Sequence, residues 1–247
     1  LVGSEMCIRD REINMSIEDL YDFECVPLNN EIDIDVLFEK MIEDGKEKEY
    51  TPIIVIDEKV GLLRKNIDMI TKEYGSLENY REYCLTKYNE IDVNQFFDFR
   101  KSEISELLKE LIDLEDDFYD YKHFRPIMNI DIFHEYNKVY IAKIPTIKPY
   151  EVFAYIPIGG FNDCPRDEEH IAIAKYWYEK HGIFPIAIGC DTVQYSVKNL
   201  TKDGKKFDDL CIELVFYCED IIIQGYETLK ALKDVLKRST IVLFWWD

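Results

Sequence analysis

The sequence predicts a mixed α/β fold, a mixed sheet flanked by helices, with a helix-rich N-terminal portion. Three observations predict it. Apolar residues recur at helical spacing in several segments, as in Ile104, Leu107, Leu108, Leu111 and Ile112. Short runs rich in β-branched residues, such as TPIIVI from Thr51 to Ile56, read as buried strands. The composition, 47% hydrophobic with 17 Tyr and 14 Phe in 247 residues, can bury a sizeable core and excludes a disordered chain.

The elements follow in order. Residues 33–43 (DIDVLFEKMIE) read as a short helix, ended by Asp44-Gly45. The strand at 51–56 is followed by a helix over 58–74, broken at Gly75-Ser76 and resumed over 77–88. Residues 95–121 carry the 3.6-residue period of one long helical stretch, with Glu115-Asp116-Asp117 as a solvated acidic end. Beyond Pro126 the texture changes. Residues 138–144 (KVYIAKI) alternate as a strand, and 150–158 (YEVFAYIPI) read as a second, with Pro145 and Pro149 marking the turn. Asp167 is placed to cap a helix running to His181 and closed by Gly182. Residues 184–189 (FPIAIG) complete a strand-helix-strand unit, which normally makes a right-handed parallel crossover. After a polar loop at 199–206, residues 207–222 form one apolar stripe, including Cys211 and Cys218 as core positions. Gly225 interrupts it, a last helix runs to Arg238, and 240–246 (TIVLFWW) end the pattern as a strand.

Fifty acidic residues against 30 Lys and Arg give a net charge of -20. Such a surface repels phosphate backbones and attracts cations, so nucleic acid is not an expected partner and a basic protein is. Solubility alone also accounts for such a charge. The seven cysteines are scattered and odd in number, with no C-x-x-C pair, which suits reduced thiols in the cytoplasm. No apolar run reaches the ~18 residues of a membrane span. Residues 1–11 (LVGSEMCIRDR) resemble a translated adapter remnant, so residues 1–14 are taken as a non-native leader and Cys7 carries no meaning. A helix-rich region with one strand is expected over 15–137 and a C-terminal domain over 138–247.

That C-terminal segment carries Asn162-Asp163-Cys164-Pro165, His170, Lys175-Tyr176-Trp177, Gly182, Asp191, Cys218-Glu219-Asp220, Gln224-Gly225 and Phe244-Trp245-Trp246-Asp247 in order. On these motifs residues 138–247 resemble the bacterial family of domain of unknown function 4253. The resemblance implies no established activity.

The candidates for chemistry lie in the same segment. The loop holding Gly159, Gly160 and Asn162 precedes a helix N-terminus, where backbone N–H groups can receive an anion, or it is a plain turn. Cys164 is the one cysteine placed as a nucleophile, with a thiol pKa lowered by the helix start and His170 within possible reach. His170 and His181 share one helix face but stand about 16 Å apart, so they cannot hold one metal ion. The same face, with Trp177, also reads as a half-buried amphipathic one. Asp220 points away from the apolar stripe of its helix, toward Gln224 and Asp247, or simply into solvent. Asp191, Asp220 and Asp247 could together bind Mg²⁺, though nothing in their spacing demands it. No cofactor or metal is therefore expected. Trp245 and Trp246 must point to opposite faces of a strand, one of them core and the other covered or part of a binding surface. Three functions remain: a binding or immunity-like module for a basic partner; a small hydrolase or transferase whose site joins the 159–165 loop, His170, Asp191 and Asp220; and a purely structural role as one half of a homo-oligomer using the tryptophan end. Oligomeric state is left open.

Overall fold

A computed structural model describes residues 20–28, 33–57, 62–114, 124–132, 138–158 and 162–246. Six strands form one mixed sheet: β1 (Cys25–Pro27), β2 (Thr51–Asp57), β3 (Lys138–Ile144), β4 (Phe184–Ile188), β5 (Thr192–Ser196) and β6 (Ile241–Trp245). Their spatial order is β1-β3-β2-β4-β5-β6. β2 runs parallel to β4, with Ile54 opposite Ala187, and every other pair is antiparallel. The predicted mixed α/β fold is the observed one. Among the described residues no helix is long and apolar enough to cross a membrane.

β2 shows why the sequence builds a sheet buried on both sides. Ile53 and Val55 enter the larger core, while Ile54 and Ile56 face the smaller one. The run is therefore apolar throughout rather than alternating. The smaller core lies under helix α1 (Ile34–Lys48), whose Phe38 packs on Ile54, Ile141 and Ile186. The larger core lies under α2 (Leu62–Tyr74), α3 (Leu77–Lys87), α4 (Val93–Glu103), α5 (Glu106–Asp113), α6 (Asp167–His181), α7 (Gly204–Tyr217) and α8 (Leu229–Leu236).

Several boundaries differ from the expectation. α1 does not stop at Asp44-Gly45; it runs to Lys48 and ends in the left-handed residue Glu49. Gly45 is there for space, since an added Cβ would lie 2.4 Å from the carbonyl oxygen of Tyr50. The 95–121 helix is two helices. Ile104 turns extended, and Ser105 caps α5 by accepting from the Leu108 N–H at 3.1 Å. The acidic residues 115–117 lie outside the described residues. The predicted 150–158 strand is instead a 3-10 helix over Pro149–Ala154, followed by a turn. Pro149 presets that helical start. β3 already has β1 and β2 as neighbours, so no edge remains for another strand there. The predicted strand-helix-strand crossover through α6 is consequently absent, and the parallel partner of β4 is β2.

The 207–222 helix ends at Tyr217, because Cys218 adopts an extended conformation, and the chain resumes as a π-helix over Ile221–Tyr226. Strand β5, TVQYS, was not expected. Its Val193 and Tyr195 enter the larger core, while the Gln194 side chain accepts from the Asp131 N–H on the other face. Arg166, not Asp167, occupies the cap position of α6, where its N–H donates to Glu169.

Three tyrosines join the N-terminal helices to the C-terminal segment. Tyr80 donates to Asp167 at 2.5 Å, Tyr83 to Glu168 at 3.2 Å and Tyr88 to Glu151 at 3.2 Å. Each of those carboxylates is buried, and buried carboxylates require partners.

Candidate functional site

The loop entering α6 brings Cys164 beside the first turn of that helix. Its Sγ lies 3.4 Å from Nε2 of His170. Nδ1 of His170 is 2.6 Å from the Tyr217 hydroxyl on α7, which is 3.1 Å from the Tyr195 hydroxyl on β5. Four side chains from a loop, two helices and a strand thus form one hydrogen-bonded line. Phe153 stacks on the imidazole at 4.9 Å between centroids, and Trp246 meets it edge-on at 5.5 Å. Arg100 of α4 donates to the backbone carbonyl of Asp163 and holds that residue's carboxylate at 3.6 Å.

The electrostatics decide what the line can do. His170 is 0% exposed. Burial, with Arg100 nearby, pushes its pKa down to about 3, so the imidazole is neutral. Burial, followed by the charge of Asp167, raises the Cys164 thiol above its ordinary range. Desolvation therefore outweighs the helix-start effect expected at Cys164. We assign the thiol S–H to Nε2 and the Nδ1 hydrogen to Tyr217, an order that leaves each group bonded. A thiolate-imidazolium pair would need charge separation where water is excluded. The Cys164–His170 contact predicted as possible is present, and its surroundings make it a neutral strut. His170 and Trp177 are fully buried, so the face expected to be half-buried is covered at both positions. His181, at the end of α6, is partly exposed.

No hydrogen bond to this line is made by the other candidates among the described residues. Asn162 is exposed and left-handed, with φ 39. Gly159, Gly160 and Asp247 lie outside the described residues. Asp220 accepts from the Gln224 side chain at 2.9 Å, so those two meet as predicted. Asp191 accepts the Trp246 backbone N–H at 3.0 Å through its carbonyl. No group of three metal-ligating side chains occurs among the described residues. Trp246 is buried at 3% exposure and Trp245 is partly exposed, with Gly225 pressed against its ring. Glu219, not singled out from the sequence, lies near Asp163 and Arg100; burial raises its carboxyl, and Asp163 raises it further.

A sizeable hollow lies elsewhere. A groove of about 990 Å³ opens between α1 and the sheet, on the face opposite the Cys164 line. Phe38, Ile42, Ile186 and Ile241 line its apolar part, and Asp35, Glu39 and Glu43 of α1 border it. The spacing of those three acids beside Phe38 and Ile42 is the signal that could have marked it in the sequence.

Neither a curated protein nor a solved structure matches the chain. A family model does match part of it, and the part is the one that supplies β4 to β6, α6 to α8 and the Cys164–His170–Tyr217 line. Residues 140–247 match the family described as Domain of unknown function (DUF4253), so the resemblance expected from the motifs holds over that segment.

Proposed function

We propose that this protein is a non-catalytic binding module, immunity-like in character, which captures a basic protein in the bacterial cytoplasm. The observation that carries the reading is the excess of 20 negative charges. Such a field speeds encounter with a cation and disfavours acidic partners. The Cys164–His170 pair adds support, since burial holds the thiol protonated and makes the imidazole too weak a base to draw its proton off.

The test is association of the immobilised protein with purified basic proteins, small cationic nucleases among them, at low and high ionic strength. Salt-sensitive, saturable binding to at least one is the expected result. Absence of retention at low ionic strength overturns the reading.

A second reading, a small hydrolase or transferase, is favoured by the 3.4 Å contact between Cys164 and His170. Turnover of an activated ester that Cys164→Ala abolishes would establish it in place of the first.

A further inference from the structure

Building on the binding role proposed above, we infer that the groove between α1 and the sheet is the docking site, and that its occupant is a segment of the basic partner in which an apolar side chain stands beside an arginine or lysine. The groove is large enough for several side chains, its volume lying at the upper end of the ~300–1,000 Å³ of small-molecule sites. Its lining has two characters. Phe38, Ile42, Ile186 and Ile241 offer an apolar surface. At its border Ile147 is 68% exposed and Tyr178 40% exposed, both large apolar groups left in water. Side chains of this kind, gathered at one hollow, are the usual mark of an interaction surface.

The second character is the acidic wall. Asp35, Glu39 and Glu43 succeed one another along α1. Lys198 also lines the groove, where it is an ion-pair partner of Glu39 and its charge acts on Asp35. Asp35 and Glu43 have no ion-pair partner among the described residues, although Lys46 also borders the groove. Asp35 does accept the Ile130 N–H at 3.1 Å, which fixes its carboxylate in place. Burial raises that carboxyl above its ordinary range, so an incoming cation would relieve a cost already present. A guanidinium or ammonium carried on an apolar stem fits both walls at once. A purely apolar segment would leave the two carboxylates unanswered, and a purely charged one would leave the apolar lining in water.

The experiment uses the whole chain and three fluorescent dodecapeptides, alternating leucine with arginine, serine with arginine, and leucine with serine. Anisotropy is read at low ionic strength against the parent and two surface variants, Glu43→Lys and Ile147→Asp. Both positions are exposed, so the fold is retained. The expected result is that the leucine-arginine peptide binds the parent more tightly than the serine-arginine peptide, and that each variant weakens it about tenfold. Equal binding to parent and variants overturns the docking site while leaving the binding role intact. Binding of neither peptide overturns both. A leucine-serine peptide that binds as tightly as the leucine-arginine one shows an apolar site with no need of the cation, and the inference fails. Self-association of the parent, seen by light scattering and abolished in Ile147→Asp, assigns the groove to a second copy of the chain and also overturns it.

Discussion

The hydroxyl of Tyr80 on α3 donates to the carboxylate of Asp167 on α6 at 2.5 Å, inside the junction between the N-terminal helices and the family-matched segment. Asp167 also accepts the Ile158 N–H at 3.0 Å. Burial nevertheless dominates these donors and pushes its pKa up to about 8. The folded protein therefore keeps a proton that the unfolded chain releases near its ordinary value of 3.8. Stability from this group is complete at low pH and is lost as pH rises toward 8.

The pH profile should carry that signature. Above about pH 6.5, where unfolded histidine no longer titrates, the urea midpoint should fall steadily to about pH 8. His170 acts in the opposite sense, because its folded pKa of about 3 lies below the unfolded 6.5. Its stability is present above pH 6.5 and is lost as pH falls toward 3, so the two slopes oppose each other in mildly acidic solution. Asp167→Asn should flatten the alkaline limb, and His170→Gln should flatten the acidic one. A parent midpoint that does not change between pH 6.5 and 8 would contradict the burial of a protonated Asp167.

Removing the donor is a separate test. Tyr80→Phe should cost about 1–3 kcal/mol in chemical denaturation, since it strips a partner from a buried acceptor. Tyr83→Phe should cost less, because the bond from Tyr83 to Glu168 is longer and only part-buried. Negligible loss in both variants would mean that these tyrosines contribute through ring packing alone, and an equal loss would contradict the ranking by burial and distance.

Cys164 should behave as a slow thiol. Iodoacetamide at pH 7.5, followed by peptide mass mapping, should modify it at least about tenfold more slowly than the same residue in the denatured chain. His170→Ala should not slow it further, because the imidazole holds the thiol as a neutral acceptor. Rapid labelling of the native protein at pH 6 would reveal a thiolate and revive the nucleophile reading.

Two glycines separate strain from space. Gly182 closes α6 with φ 69 and has open room around it, so Gly182→Ala should cost about 1–2 kcal/mol from conformation alone. Gly45 lies within α1, where alanine is the better helix former, yet its Cβ would overlap the Tyr50 carbonyl. Gly45→Ala should therefore be the more damaging, by about 3 kcal/mol. Thermal melts of the two variants decide the order.

Much of the architecture was readable because periodicity survives in the elements that bury one face. α2, α5 and α8 carry that period, whereas β3 and β6, buried on both faces, were marked by short apolar runs and α6 by its closing Gly182. Residues 150–158 do not: Tyr150 through Ile158 are all buried, and a run apolar on every side has no period to distinguish strand from helix. β5 was hidden by its polar face, where Gln194 finds its partner in Asp131, a residue far away in sequence. The proximity of Cys164 to His170 was legible as a possibility, but not its neutrality. That follows from the rings of Phe153, Tyr217 and Trp246 closing around the imidazole. The groove depends on what α1 leaves uncovered; the spacing of Asp35, Glu39 and Glu43 beside Phe38 and Ile42 is its one local trace, and the hollow itself comes from residues distant in sequence.

The place of β2 between β3 and β4 has a consequence for assembly. Ile54 pairs with Ile141 on one side and Ala187 on the other, so the centre of the sheet is made from chain that leaves the ribosome well before either neighbour. That segment must wait, hydrophobic and unpaired, until most of the polypeptide has been synthesised. The late-emerging region in turn lacks its own middle, and its β3 and β4 would present bare edges to other chains if it were produced separately.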